Sequence, residues 1–414
     1  MPPKKKTKPR KPAVKTKAAP RKAPKAKAKA AAKAAEPVVA PPKPKEQVTI
    51  AKAKGRPMLS WVGKRPLRAV TAFPAQLVET FVPKGADKVP VADASIWKDW
   101  PAQYPKSGLL FHGDNKEVLA HLLANGFRGK VQLIYIDPPF DSGADYVRKV
   151  KLRGPAGTTK VDGETYTLGE QIQYTDIWAN DNYLQFMFER LMLLRELLDE
   201  NGSFYLHCDS TKGHHLRCLC DEIFGADYFR NEIIWFYENK LGTGGQTFDS
   251  LHDSLFVYTK SKKWTHNKLL VPVKEIKQQP VTQKIDGERV WLRDEAGKRI
   301  YQESRPDRSL GDVWTVPILN PVATDRTGYP TQKPAELVEK VITASSNPGD
   351  IVLDCVVGAG TTMLCAQRLG RRWIGCDINK GAIQTSAKGL LGIIADQLDS
   401  AKKTGRQMSL LADD

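Results

Sequence analysis

Apolar and polar positions alternate along residues 108–395 in a pattern that predicts strands and helices in turn. Short runs rich in Leu, Ile, Val and aromatic residues are typical of strands buried in a sheet, and longer segments carry apolar residues at helical spacing. The predicted strands are Leu109–Asp114, Val131–Ile136, Phe204–His207, Glu232–Tyr237, Ser254–Thr259, Ile351–Leu353 and Trp373–Cys376. The predicted helices are Asn115–Asn125, Tyr183–Leu198, Thr211–Phe224, Ala335–Ser345 and Thr361–Leu369. This alternation indicates an α/β fold.

The segments before, within and after this alternating pattern are less regular. Residues before it are Pro-rich and predict an irregular extension, with Trp61, Trp97 and Trp100 as anchors. A polar, basic stretch in the middle predicts an inserted module, and the end of the chain predicts a frayed tail. The predicted division is a basic tail at 1–56, an irregular extension at 57–107, the two halves of the α/β domain at 108–238 and 326–395, the insert at 239–325, and a C-terminal tail at 396–414.

Residues 1–56 consist mainly of Lys, Ala and Pro, and such a composition predicts disorder because it offers little apolar surface to bury. Their 19 bases and two acids leave 45 bases and 44 acids for the rest of the chain, so all but one unit of the net charge of +18 belongs to this tail. A polycation binds nucleic-acid phosphates without reading sequence. DNA is therefore an expected partner, and the expected location is the nucleoid in the cytoplasm, or the nucleus of a eukaryotic host. A solubilising or targeting arm is the alternative.

The 414 residues are enough for two or three domains. No run of 18 apolar residues occurs, so no membrane span is expected. The N-terminus lacks the apolar core of a signal peptide, and the six cysteines are accordingly expected to be reduced thiols.

One tetrapeptide, Asp137-Pro138-Pro139-Phe140, follows a predicted buried strand. Ligand sites of open α/β folds lie at the carboxyl ends of strands. Asp137 and the Pro138 carbonyl can accept hydrogen bonds from an amino group, and Phe140 can stack on a flat ring. These four residues are the candidate catalytic set, and the exocyclic amine of a nucleobase suits them.

A second loop, from Asp354 to Thr362, connects a predicted strand to a helix and contains Gly358 and Gly360. The glycines let the backbone approach a ligand, and the helix start offers free N–H groups and the hydroxyls of Thr361 and Thr362. An acid, Asp377, ends the next predicted strand, where dinucleotide folds hold ribose hydroxyls. Asp354, Gly358, Gly360, Thr361, Thr362 and Asp377 are therefore candidate contacts of an adenosine-containing cofactor.

Together these motifs resemble the β class of DNA amino-methyltransferases, which includes adenine-N6 enzymes and the modification subunits of type III restriction systems. The resemblance covers most of residues 108–382, and in it the catalytic tetrapeptide precedes the cofactor loop. The matching motifs are His112-Gly113-Asp114, the DPPF tetrapeptide, GSFYLHCD from Gly202, NEIIW from Asn231, GYPTQKP from Gly328, VLDCVVGAGTT and IGCDIN. Two departures occur: Cys355-Val356-Val357 replaces the usual Pro-Phe-x, and Phe140 replaces the commoner Tyr.

The resemblance implies a circularly permuted, Rossmann-like methyltransferase that uses S-adenosylmethionine. It further implies cofactor contacts from Asp114, Thr331 and Lys333, target recognition by the insert, and transfer to N6 of an adenine flipped out of the duplex. A homodimer and a restriction subunit are possible partners in such a family. Cytosine-N4 methylation remains an alternative, although Asp at position 137 favours adenine. An inactive DNA-binding protein with the same fold is the other alternative.

A group of histidines and cysteines between residues 207 and 220 offers a zinc site as a competing interpretation. Cys218 and Cys220 are two residues apart on a predicted helix and should face different sides. His207 and Cys208 are neighbours on a predicted strand and should point to opposite faces. Core packing explains these residues better, and no metal is expected.

Overall fold

The structure is a computed structural model. It describes residues 46–53, 58–81, 99–139, 151–154, 157–160, 182–240, 245–246, 248–273, 275–320, 326–327, 329 and 331–410. All of them belong to one compact unit, Ala40–Asp414.

Nineteen strands and six α-helices occur in this described part. The strands are β1 Glu46–Thr49, β2 Ala69–Ala72, β3 Gln76–Phe81, β4 Gly108–His112, β5 Val131–Ile136, β6 Lys151–Gly154, β7 Gly157–Lys160, β8 Leu198–Cys208, β9 Phe229–Phe236, β10 His252–Thr259, β11 Leu270–Pro272, β12 Gln278–Pro280, β13 Thr282–Ile285, β14 Glu288–Trp291, β15 Tyr301–Glu303, β16 Asp307–Ser309, β17 Val313–Thr315, β18 Ile351–Asp354 and β19 Arg372–Asp377. The helices are α1 Asn115–Ala124, α2 Asn182–Leu197, α3 Gly213–Phe224, α4 Ala335–Ser345, α5 Thr361–Arg368 and α6 Lys380–Leu410.

Nine strands form one sheet in the order β17-β9-β10-β8-β5-β18-β19-β4-β3. The five strands from β8 to β4 are parallel, whereas β10 is antiparallel to both of its neighbours. The two strands that bear the sequence motifs, β5 and β18, are adjacent and parallel, although β18 comes much later in the chain. This mixed sheet with a parallel centre confirms the predicted Rossmann-like fold with permuted motif order.

Apolar side chains on the two faces of the sheet build two separate cores. In β5, Ile134 and Ile136 pack into a core that also contains buried residues of α1, α2 and α3. The alternate residues Leu133 and Tyr135 pack into a second core with residues of α4, α5 and α6. Side chains of a strand point alternately to opposite faces, so a strand buried on both faces is apolar throughout. This is the physical basis of the continuous apolar run that predicted β5.

Gly108 at the start of β4 lies directly against the ring of Trp373. A Cβ atom at this glycine would come within 2.1 Å of Trp373 Cε2, and the ring is almost completely buried. We expect Gly108→Ala to lower the free energy of unfolding by about 1–3 kcal/mol, because the ring can yield only by disturbing its own packing. Urea unfolding measures this loss. Gly311→Ala is the matched control, since a Cβ there meets nothing within 4 Å, and an equal loss in both variants would contradict the packing argument.

The structure departs from the predicted division in several places. The basic tail predicted to extend to residue 56 ends earlier, since β1 begins at Glu46 and pairs with β2. The extension at 57–107 is not irregular throughout, because β3 joins the large sheet as the edge strand beside β4. In β3, Leu77 is half-buried between exposed neighbours. An edge strand of this kind leaves only a weak pattern of apolar residues in the sequence.

The C-terminal tail predicted from residue 396 also begins inside a helix, because α6 continues to Leu410. Residues 396–410 contain no proline and include two each of Lys, Gln and Leu, which favour helix, so no helix-breaking residue stands at 396. The packing of Ile383 and Leu390 in the second core anchors the first part of the helix.

The predicted insert at 239–325 overlaps the central sheet, which is a further correction. Strand β10 falls within this range, yet it lies between β8 and β9 with Leu255 to Thr259 buried. The separate part is narrower and consists of three two-stranded antiparallel sheets, β11 with β16, β12 with β15 and β13 with β14. Most side chains of these six short strands are exposed.

The helices of the described part are too short or too polar to cross a bilayer. Charged and polar residues occur along the whole length of the long helix α6.

Candidate active site

The predicted site residues meet at one edge of the sheet because the parallel strands end there together. Asp137 follows β5, Asp354 ends β18, Asp377 ends β19, and Asp114 lies two residues beyond β4. Neighbouring strands in the order β5-β18-β19-β4 therefore bring four acids from distant parts of the sequence to the same edge.

Asp137 forms an ion pair with Lys333, a residue 196 positions later in the chain. The pair joins Asp137 Oδ2 to Lys333 Nζ, and the Asp137 side chain is only 18 % exposed. The other oxygen, Oδ1, is buried and has no hydrogen-bond partner among the described residues. The carboxylate is thus fixed on one side and retains a free acceptor atom on the other.

The rest of the tetrapeptide is only partly described. Pro138 is buried and Pro139 half-buried, and the fixed φ of two successive prolines makes this loop stiff. Phe140 lies outside the described residues, so its expected stacking role remains a prediction.

The glycine loop that follows β18 has the conformation that only glycine adopts readily. Gly358 has φ +52° and Gly360 has φ +87°. The Gly358 N–H donates to Asp377 Oδ2 at 2.8 Å, and the Asn379 N–H donates to Asp377 Oδ1 at 2.8 Å. Asp377 therefore holds the turn after β18 and the turn after β19 in one arrangement.

The side chain of Asp354 is turned into the loop, and its expected contact with a cofactor remains a prediction. Its side chain is 2 % exposed, and its two oxygens accept hydrogen bonds from the Thr362 hydroxyl at 2.7 Å and the Val356 N–H at 2.9 Å. Thr362 is equally buried. Both residues shape the loop from within, because a strand-end carboxylate can satisfy the free N–H and O–H groups at the start of a helix.

Burial raises the pKa of Asp354 to about 7, despite the two hydrogen bonds it accepts. In the unfolded chain the same carboxyl group ionises near pH 4. Between about pH 4 and about pH 7 the unfolded state therefore loses this proton while the folded state keeps it, and the folded state becomes less stable as the pH rises through that window.

We expect Asp354→Asn to remove this pH dependence. At the alkaline end of the window, the free energy of unfolding of the variant should exceed that of wild type by on the order of a few kcal/mol. At the acidic end it should not exceed it. Thermal unfolding of both proteins across the window measures the difference. If the difference in stability between the two proteins stays constant with pH, Asp354 is already ionised in the folded protein.

The remaining predicted contacts differ in their surroundings. The Asp114 carboxylate caps α1 by accepting the Lys116 N–H at 2.8 Å, and it forms an ion pair with Arg190 at 2.9 Å. It also lines a cavity of about 540 Å³, a size typical of small-molecule sites. Thr331 is exposed, and the Thr361 hydroxyl donates to the Lys333 carbonyl at 3.4 Å, which connects the two loops.

Two groups of polar residues were missed as site residues in the sequence. Arg190 lies on the predicted core helix α2, is buried, and stacks on Phe186 with 3.5 Å from its Cζ atom to the ring centre. His207 and Asp253, on the neighbouring strands β8 and β10, lie 3.1 Å apart behind Asp137. A charged residue on the apolar face of a helix was the available signal for Arg190, whereas the His207 pair depends on strand register.

The histidines and cysteines of α3 and β8 are divided between surface and core. Cys218 is exposed and Cys220 is buried on the opposite side of α3. His207 and Cys208 point into different cores, and burial strongly raises the pKa of the Cys208 thiol. Over the described residues, no group of three or more His, Cys, Asp or Glu side chains is arranged to hold a metal ion.

Fold and site together define a Rossmann-like α/β domain in which the Asp137 loop and the glycine loop follow adjacent parallel strands. A family model described as DNA methylase, of the N6/N4 type, matches residues 131–388. The chain belongs to this DNA methylase family. The predicted membership of the DNA amino-methyltransferases is thereby confirmed.

Known relatives include two bacterial proteins. The type II methyltransferase M.EcaI of Enterobacter cloacae is 28 % identical over 327 residues, which cover 66 % of this chain and 67 % of that protein. The DNA adenine methyltransferase YhdJ of Escherichia coli K12 is 25 % identical over 282 residues, 68 % of this chain and 82 % of the relative. Among solved structures, the M1.HpyAVI-SAM complex is 20 % identical with a TM-score of 0.40, covering 68 % of this chain and 98 % of that chain.

Proposed function

We propose that this protein transfers a methyl group from S-adenosylmethionine to the exocyclic N6 of adenine in DNA. The observation that carries the proposal is the position of Asp137-Pro138-Pro139 on β5, directly beside the glycine loop on β18. An amine held at the first loop and a methyl donor held at the second would meet at the same sheet edge. The name of the relative YhdJ supports adenine as the target.

The residues at this edge fit S-adenosylmethionine. The turn at Gly358 is half-buried at this edge, the carboxylate of Asp377 suits ribose hydroxyls, and Asp114 and its cavity lie at the end of the next strand. Lys333, half-buried near both loops, is the cation nearest the expected amino-acid end of the donor. When bound, the donor supplies a methyl group made electrophilic by its sulfonium.

The chain's own residues act on the amine. The lone pair of an exocyclic amine is delocalised into the ring, so the nitrogen is a weak nucleophile. Asp137 Oδ1 and the Pro138 carbonyl accept the two N–H bonds and direct the lone pair toward the methyl group. The stiff Pro138-Pro139 segment and the ion pair with Lys333 hold these acceptors in place before the base arrives.

The test is to incubate the protein with labelled S-adenosylmethionine and DNA, digest the DNA to nucleosides and identify the methylated base. N6-methyl-2′-deoxyadenosine is the expected product. N4-methylcytosine would replace adenine by cytosine as the target, and no labelled base in any DNA would favour the inactive DNA-binding protein. A parallel reaction with RNA tests the specificity for DNA.

The basic tail gives a separate prediction, on residues 1–45. Removing them should lower DNA affinity by at least about tenfold at low salt and flatten its salt dependence, because fewer counterions are released. Binding titrations at several salt concentrations measure both effects. A tail with Lys and Arg replaced by Gln is the matched control and should behave like the deletion. A change in which sites are methylated would contradict a tail that contacts only phosphates.

Partners other than DNA follow from the family resemblance alone. A second copy of the chain and a restriction subunit are the two that it suggests, and nucleoid association would follow from the basic tail. Sedimentation of the full chain with and without DNA would show whether it forms a dimer.

A further inference from the structure

A row of polar side chains crosses the sheet behind Asp137. It runs from Asp137 after β5 to His207 on β8 and Asp253 on β10, three adjacent strands. His207 Nδ1 lies 3.7 Å from Asp137 Oδ1, and His207 Nε2 lies 3.1 Å from Asp253 Oδ2. The imidazole thus lies between two carboxylates, and one of them is the proposed acceptor of the substrate amine.

His207 is completely buried, and both of its ring nitrogens have polar neighbours. The Tyr135 hydroxyl lies 3.0 Å from Nδ1, and burial holds the pKa of this hydroxyl well above its ordinary value, so it stays protonated. With this hydroxyl as the donor, Nδ1 is the acceptor nitrogen and Nε2 carries the proton that is donated to Asp253. Burying an imidazole costs free energy that an apolar residue would avoid, so packing against Trp235 alone does not explain a histidine here.

Asp253 connects this row to solvent. Its side chain is 16 % exposed, and its other oxygen accepts a hydrogen bond from the Tyr237 hydroxyl at 3.3 Å. Burial opposes ionisation of Asp253, but the hydrogen bond from His207 and the charge of Lys333 lower its pKa below the usual value. Asp253 is therefore a carboxylate that can take a proton from His207 and release it to water.

The groups facing His207 come from each strand packed around it. Strand β5 and its end contribute Tyr135 and Asp137, β10 contributes Asp253, and β9 contributes the uncharged Trp235 and Tyr237. Lys333, which precedes α4, is the nearby cation and is paired with Asp137. Two carboxylates and one ammonium group are therefore the charged side chains around the ring.

We propose that His207 is a positioning residue that takes the proton of the reaction from Asp137 and passes it to solvent through Asp253. The proposal rests on the proposed function. The nitrogen forms its bond to the methyl carbon as the carbon–sulfur bond breaks, and the nitrogen then carries a positive charge. Its N–H bond breaks, the electrons stay on nitrogen, and the proton moves to Asp137 Oδ1, then to His207 Nδ1. The Nε2 proton moves to Asp253 Oδ2 and on to water.

The transfer needs two small adjustments, because the Tyr135 hydroxyl already donates to Nδ1: this hydroxyl turns its proton away by rotation about its C–O bond, and Asp137 approaches the ring. The Oδ1–Nδ1 separation is about 0.5 Å beyond hydrogen-bond range, a gap that side-chain rotation can close. Oδ1 is also the Asp137 oxygen that lacks a hydrogen-bond partner among the described residues, so it is the one available for the proton.

His207→Gln is the decisive variant, because an amide can bond to Tyr135 and Asp253 but cannot pass a proton from one side to the other. We expect its single-turnover rate of methyl transfer to fall about 100-fold, with the KM for DNA and for S-adenosylmethionine unchanged. Its remaining rate should rise with pH where the wild-type rate is flat, because solvent must then remove the proton. A wild-type rate, or a loss accompanied by a higher KM and independent of pH, would overturn the proposal.

A second measurement needs neither DNA nor methyl donor. Nitrogen-15 NMR of histidine-labelled protein reports the proton on each ring nitrogen, and His207→Gln assigns the signals. We expect Asp137→Asn to change the Nδ1 signal of His207 and Asp253→Asn to change the Nε2 signal. If Asp137→Asn leaves His207 unchanged, the two residues are not coupled and the relay fails. If wild type methylates no DNA, the proposed function fails, and the NMR result still decides the coupling.

Discussion

Replacing Asp137 by alanine should lower the single-turnover rate of methyl transfer by about 10³-fold while DNA still binds. The carboxylate is the acceptor that makes the exocyclic amine nucleophilic, and removal of one preorganised polar group that acts in a transition state typically costs about 10²–10³ in rate. The effect is large here because Asp137 is mostly buried and held by Lys333, so water cannot easily replace it. Asp137→Asn, which keeps one acceptor oxygen but no charge, should lose less.

Rapid mixing with labelled methyl donor measures the rate, and fluorescence anisotropy of labelled DNA measures binding. Glu200→Gln is the matched control, since Glu200 is a strongly exposed acid near the opposite, amino-terminal end of β8. If the alanine variant of Asp137 methylates DNA as fast as this control, Asp137 has no role in activating the amine.

Replacing Asp377 by alanine should weaken S-adenosylmethionine binding by about 100-fold. The carboxylate is the proposed acceptor for the ribose hydroxyls, and a hydrogen bond to a charged group contributes about 1.5–3 kcal/mol. The same change leaves the Gly358 and Asn379 N–H groups without their acceptor, so the glycine loop also loses its fixed conformation. Isothermal titration calorimetry measures the affinity without DNA.

Asp354→Asn provides the matched comparison for this effect. Both acids end adjacent strands, but Asp354 is enclosed by Thr362 and Val356. We expect Asp354→Asn to leave the affinity for the methyl donor unchanged and to alter only the pH dependence of stability. Equal losses of affinity in the two variants would show that Asp354 contacts the ligand after all.

Local patterns were sufficient for most elements of the α/β domain. The apolar run of β5 and the helical spacing in α2 each predicted an element close to its observed bounds, because burial imposes a period on the sequence wherever an element is packed. The edge strand β3 and the end of α6 were missed, since an exposed edge and a helix extending beyond the core leave little periodic signal.

Only the parts of the candidate site that lie within short contiguous motifs could be predicted from the sequence. The Asp137 tetrapeptide and the Gly358–Gly360 turn are contiguous, and their backbone demands can be read from a few residues. The inward orientation of Asp354 and the pairing of Arg190 with Asp114 could not be, because each depends on which neighbour covers the side chain.

The sequence by itself determined the class of fold, the order of the two motifs and the concentration of positive charge in the N-terminal tail. Each of these depends on neighbouring residues or on composition. Only the tertiary structure decided that Lys333 pairs with Asp137 and that His207 lies between Asp137 and Asp253. These partners are distant in sequence, and the register of parallel and antiparallel strands, which no local periodicity encodes, brings them together.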